Sequence, residues 1–223
     1  MTRWTAVSSS VGTKVLIAVT GIALFLYLVL HLAGNLLLFF GPDTYNGYAH
    51  LLLTNPLLVP AEIGLATLFV IHIYKAVVNW FKNRRTRPDA YYKKKWAGPP
   101  SRKSLASTTM IWTGSLMALF VIVHVKMFTF GHPGKVAHTD LEDLYGLVAS
   151  AFHNPGWVVF YEVALVLVGF HLWHGFASAF DSLGIESRRF TPRLLLTGKI
   201  LAVLVAGGFF LIPLWVYFAG GRP

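Results

Sequence analysis

Thr20–His31, TGIALFLYLVLH, and Thr113–His124, TGSLMALFVIVH, share one pattern: Thr-Gly, nine residues and a histidine, in an otherwise apolar run. Each lies inside a stretch long enough to cross a bilayer core, which takes about 20 apolar residues as a helix. Five such stretches occur: Val11–Phe40, Leu57–Trp80, Leu105–Phe130, Trp157–Phe180 and Leu194–Ala219. With 55% hydrophobic residues, 13% charged residues and a mean hydropathy of +0.59, the 223-residue chain reads as an all-α integral membrane protein. The first stretch is much longer than the core of a secretory signal and no small-x-small site ends it, so it is expected to be a span.

Cysteine is absent. This excludes disulfides, iron–sulfur clusters and covalent haem attachment within the chain. No G-x-G-x-x-G or P-loop pattern occurs, which argues against a nucleotide site.

The net charge of +10 is distributed by topology. Arg3 and Lys14 precede or open the first span. Lys82, Arg84, Arg85, Arg87, Lys93, Lys94, Lys95, Arg102 and Lys103 fill the second connection, and Arg188, Arg189, Arg193 and Lys199 lie at the fourth. The remaining connections and the C-terminus hold only Lys126, Lys135 and Arg222. This positive-inside pattern predicts a cytoplasmic N-terminus and an external C-terminus in the cell membrane, with no nucleic acid as partner. The basic loop can in addition dock anionic lipid or an acidic protein.

Both outer connections are expected to hold short interfacial helices, the second opened by a capping box from Thr139 to Glu142. Asn55-Pro56 and Asn154-Pro155 close these connections. Residues 84–104, basic and containing Pro88, Pro99 and Pro100, are expected to be ordered mainly by contact. The even spans repeat as well. Pro56 to His72 and Pro155 to His171 are both sixteen positions, with Glu62 and Glu162 near the start of each interval. The chain is therefore one domain, residues 1–223, in which residues 11–80 repeat as 105–180 and a fifth span, 194–219, is added.

One intramembrane histidine is most simply an interhelical hydrogen bond, but four at repeat-related places are harder to dismiss, because such groups are costly and face a bundle interior. Counted along the spans, His31 and His124 fall in the outer half and His72 and His171 in the inner half. They form two layers, each drawn from alternate helices of a four-helix core. Zinc would require three or four ligands at one level, and copper a nearby methionine or cysteine, for which only Met127 is close to a candidate. Two facing imidazoles suit the axial positions of a haem, so the pattern predicts two b-type haems and, with no open iron position, electron transfer. The glycines of the Thr-Gly pairs, with Gly64 and Gly169, are expected either to admit a flat macrocycle or to pack helices closely. Lys75 and Lys126 are expected to pair with propionates or to reach a headgroup.

His31 in LHLAGN, His72 in IHIYKA, His124 in VHVKMF and FHLWHGFASAFDSLGI together resemble the cytochrome b membrane anchor of succinate dehydrogenases and fumarate reductases, of the single-chain type with five spans and two haems. The resemblance covers essentially the whole chain. It implies an outer haem on His31 and His124 and an inner haem on His72 and His171. It implies an iron–sulfur subunit and an FAD flavoprotein subunit on the cytoplasmic side, and a quinone, menaquinone being expected, as the electron acceptor or donor of the complex. Quinone chemistry needs protons as well as electrons. Glu62 resembles the family's acidic residue at an outer quinone site, and Tyr45, Asn46 and His50 are placed to assist. Trp173, His174, Ser178 and Asp181 form an inner alternative. Glu62 and Glu162 are equally readable as first-turn carboxylates at helix N-termini.

His171, not His174, repeats the spacing of His72 and is the expected ligand, with His174 as a nearby propionate or quinone contact. Other readings are a di-haem anchor of formate dehydrogenase or hydrogenase type, a proton-coupled transporter using the intramembrane His and Glu, and a haem-free structural anchor.

Overall fold

The computed structural model describes residues 9–86, 105–185 and 187–219. Seven α-helices occur among them: α1 (Ser10–Asn35), α2 (Pro42–Leu53), α3 (Leu58–Arg85), α4 (Leu105–Phe128), α5 (Leu144–Phe152), α6 (Pro155–Ser182) and α7 (Phe190–Phe218). A 3-10 segment, Leu36–Phe40, prolongs α1, and a two-residue hairpin pairs β1 (Gly134–Lys135) with β2 (Glu142–Asp143). Five helices, α1 with its extension, α3, α4, α6 and α7, are long and apolar enough to cross a membrane.

Local chemistry sets their ends. Ser9 accepts the Gly12 N–H at 2.9 Å to start α1, and Asn154 accepts the Gly156 N–H at 2.8 Å to start α6 behind Pro155. α3 continues past Trp80 to Arg85, where Lys82, Arg84 and Arg85 suit the negative end of the helix dipole. α7 begins four residues before Leu194 because Ser187 Oγ accepts the Phe190 N–H at 3.0 Å and supports a further turn.

Both outer connections contain the expected short helices, α2 and α5. The expected capping box is not formed. Thr139 Oγ1 instead donates to Val136 O and accepts from the Leu141 N–H, closing a turn, while Glu142 lies in β2 and Asp143 caps α5. Most of the basic connection, residues 87–104, lies outside the described residues.

α6 is the central rod, packed against α7, α4 and α1. α3 packs on α1, and α3 and α4 meet only lightly. The diagonal pairs, α1 with α4 and α3 with α6, have no extended backbone contact. The four helices thus surround a shared interior, with α7 outside, along α6. Small residues allow its close approach: Gly169 faces Ala206, and Gly198 faces Phe176. The buried core gathers at the end of the bundle that carries α2 and α5, where Tyr145 and Phe152 of α5 meet Val158, Tyr161, Ile212 and Val216. There the buried Asn46 fastens the outer cap, donating to Asp143 Oδ1 at 2.9 Å and accepting the Tyr145 N–H at 2.8 Å.

Candidate functional site: four histidines in two layers

The inner layer is built from the repeat. On α3, His72 Nδ1 is 3.0 Å from Thr20 Oγ1 of α1, and on α6, His171 Nδ1 is 3.3 Å from Thr113 Oγ1 of α4. Each threonine is followed by the glycine over which the ring lies. A Cβ on Gly21 would stand 3.1 Å from His72 Cε1, and one on Gly114 would stand 3.4 Å from His171 Cε1. The Thr-Gly pairs therefore seat the imidazole of the neighbouring helix. The two histidines come from diagonal helices and lie within electrostatic reach of each other.

The outer layer is His31 of α1 and His124 of α4, again a diagonal pair. Their ring centroids are 5.8 Å apart and their planes perpendicular. An imidazole–metal bond is about 2 Å long, so two in line, with half of each ring, separate the centroids by about 6 Å. His124 Nδ1 is 3.2 Å from the Tyr161 hydroxyl of α6, and Tyr27 stacks on His31 at 5.5 Å. Phe120, Phe128 and Phe209 complete an aromatic enclosure around the pair.

The repeat also fixes the separation of the layers. Thr20, which marks the depth of His72, and His31 are eleven residues apart on α1, as are Thr113 and His124 on α4. Eleven residues at 1.5 Å amount to about 16 Å, and very nearly three whole turns, so both layers face the same interior.

Among the described residues no group of three or more His, Asp or Glu side chains could hold a metal ion.

The remaining candidates divide. His174 Nε2 is 2.9 Å from Ser178 Oγ, one turn along α6, and Asp181 is within electrostatic reach of His174. Trp173 is not brought to them. It faces α7, where Lys199 Nζ lies 5.5 Å from its ring, and lines an open apolar groove of about 270 Å³ with Gly169 and Ala206. At the end of the bundle that carries α2 and α5, Glu62 and His50 are exposed, Tyr45 is half-buried, and Asn46 spends both ends of its amide on the cap. Glu62 is within electrostatic reach of Tyr27. Burial, and then the nearby Tyr48 phenol, push the Tyr45 hydroxyl up to about 12, so it stays a neutral donor at physiological pH. Lys126 is exposed, and Lys75 is half-buried with its ammonium 5.9 Å from the Tyr74 ring. Both oxygens of Glu162 are buried without a hydrogen-bond partner among the described residues.

Sequence reasoning missed Tyr27, Tyr161 and the hydroxyls of Thr20 and Thr113. For Tyr27 the signal was present, since it precedes His31 by four residues on one helix face. Set against protein-family models, curated proteins and solved structures, the chain matches none.

Proposed function

We propose that this chain is a di-haem membrane cytochrome b that moves electrons between its cytoplasmic and outer sides, as the anchor subunit of a succinate:quinone oxidoreductase. The observation that carries the di-haem part is the placing of four histidines on diagonal helices in two layers, His31 against His124, and His72 within electrostatic reach of His171 with each of these two held by a threonine of the repeat. The Thr113–His171 contact repeats Thr20–His72, which favours His171 over His174 as the ligand. The haems would supply reversible one-electron chemistry when bound. The chain's own residues would hold the imidazoles in place, exclude water with the aromatic enclosure of the outer pair, and divide the low-dielectric path of about 30 Å across the membrane with two sites about 16 Å apart.

The choice of enzyme rests on the motif resemblance. An iron–sulfur subunit on the cytoplasmic side would deliver electrons near the inner layer, with a flavoprotein subunit beyond it. Quinone would then exchange electrons and protons at Glu62, Tyr27 and Tyr45 on the outer side, or near His174, Ser178 and Asp181 on the inner side. A formate dehydrogenase or hydrogenase anchor would use the same two layers with different partners.

The test is a reduced-minus-oxidised optical spectrum with haem quantitation on the detergent-purified protein and the subunits that accompany it. Two low-spin b haems per chain, together with succinate-dependent reduction, are expected. A well-folded, assembled preparation without haem would overturn the proposal. Haem reduced by formate or hydrogen but not succinate would retain the cytochrome and replace the enzyme.

A further inference from the structure

We infer that Thr20 and Thr113 are positioning residues that fix the tautomer of His72 and His171, so that both rings offer Nε2 to a metal of the inner site. The inference rests on the haem proposal for the identity of the metal, but its structural part stands on hydrogen-bond bookkeeping alone.

A threonine hydroxyl has one hydrogen to donate and lone pairs with which to accept. Thr20 Oγ1 lies 2.6 Å from Leu16 O of its own helix and 3.0 Å from His72 Nδ1. A carbonyl oxygen can only accept, so the single O–H is given to Leu16, the usual back-bond of a threonine within a helix. The contact with the imidazole must then run the other way, with His72 Nδ1–H donating to Thr20 Oγ1. In a neutral ring this leaves the lone pair on Nε2. The same holds in the second half of the repeat: Thr113 Oγ1 is 3.2 Å from Met110 O and 3.3 Å from His171 Nδ1. Both threonines are buried, at 4% and 5% exposure, so water does not compete for either bond. The adjoining glycines let each ring lie close against the helix, since a Cβ on Gly21 or Gly114 would stand 3.1 or 3.4 Å from its Cε1.

The outer layer is oriented by other groups. His124 Nδ1 meets the Tyr161 hydroxyl, which donates to Met127 Sδ at 3.7 Å. His31 Nδ1 has the Asn35 amide nitrogen at 3.4 Å, a donor whose shorter bond, 2.8 Å, goes to His31 O. An acceptor at Nδ1–H makes a ligating imidazole more basic, and such partners commonly change metal affinity by about 10- to 100-fold. The inner site has this support on both of its ligands and from one residue type. Two threonines, on different helices and 93 positions apart in sequence, therefore serve a single site.

The experiment compares Thr20→Val, Thr113→Val, their serine counterparts and Tyr161→Phe in the purified complex, by redox titration and by the low-spin ferric resonances. Each valine variant is expected to raise the midpoint potential of the same haem component and to loosen its retention by about 10-fold or more. Serine should restore both properties, and Tyr161→Phe should move the other component. Nitrogen-15 spectra of the histidine-labelled full chain, prepared without haem, read the tautomer directly, with His72 and His171 expected to carry their proton on Nδ1. Protonation on Nε2 would overturn the inference. So would valine variants that act on different components, or on neither, in a protein that holds two haems. A wild-type chain that binds no haem but shows Nδ1–H at both rings would refute the functional proposal and leave the assigned tautomers standing.

Discussion

Replacing His171 by Ala tests the two-layer arrangement at both of its sites. On the proposed reading, removing one of the two histidines that would hold the inner haem should lower the haem content from about two per chain to about one. The outer site should remain low-spin, because its ligands and aromatic enclosure come from residues about 16 Å away. It should still register the loss. A unit charge at about 16 Å, with an effective dielectric constant of about 20, interacts by roughly 1 kcal/mol, or about 45 mV for a one-electron couple. If both layers hold haem as proposed, oxidation of one site in the parent protein should raise the potential of the other by about this amount, and the two should titrate as a broadened pair. In the His171→Ala protein the outer haem should titrate as a single one-electron component, displaced toward lower potential by about 45 mV from its value beside an oxidised inner site. The assay is an optical redox titration of the reconstituted protein, with His174→Ala as the control that keeps both haems. Loss of a haem from the His174 variant but not from the His171 variant would refute the assignment. An outer potential indifferent to the inner site would refute the separation.

Three further outcomes follow from the geometry. Gly21→Ala should disturb the inner site more than Gly114→Ala, since the added methyl meets His72 at 3.1 Å but His171 at only 3.4 Å; haem occupancy of the two variants measures this. Asn46→Ala should destabilise the outer cap by about 2–4 kcal/mol, because it strands the buried Tyr145 N–H and removes a donor from Asp143. Amide exchange in α2 and α5 should quicken while α6 stays protected. Glu162→Leu should leave the fold intact and raise thermal stability by about 1–3 kcal/mol, as it removes two buried, unpartnered oxygens. A drop in stability would mean that the carboxyl has a partner in the membrane.

The spans were legible because apolar length is a property of composition, and the histidines because a repeat is a property of spacing. The roles of individual side chains were less so. Thr20 and Thr113 stood out as half of a repeated pair, yet their partners lie 52 and 58 positions away, and only the packing of α3 on α1 and of α6 on α4 identifies them. The Thr139–Glu142 pattern is a helix start in form, but the hairpin takes Glu142 into a strand and gives the cap to Asp143. Trp173 is adjacent in sequence to His174 yet points about 100° away from it around α6, toward Lys199. The partners of Asn46 were not legible either, since its amide is matched to two groups about 100 positions further on.

The eleven-residue interval has a consequence for which changes the chain can accept. Between Thr20 and His31, and between Thr113 and His124, the helix completes almost three turns, so apolar residues other than Gly21, Tyr27, Gly114 and Phe120, which touch the histidines, can be exchanged for others of suitable size. The length of the interval is not exchangeable in this way. Insertion or deletion of one residue would swing the outer histidine by about 100° relative to the threonine, away from its partner and toward lipid. Because each layer draws on both halves of the chain, the halves must keep the same count: mutation by replacement has wide latitude here, and mutation by insertion or deletion has almost none.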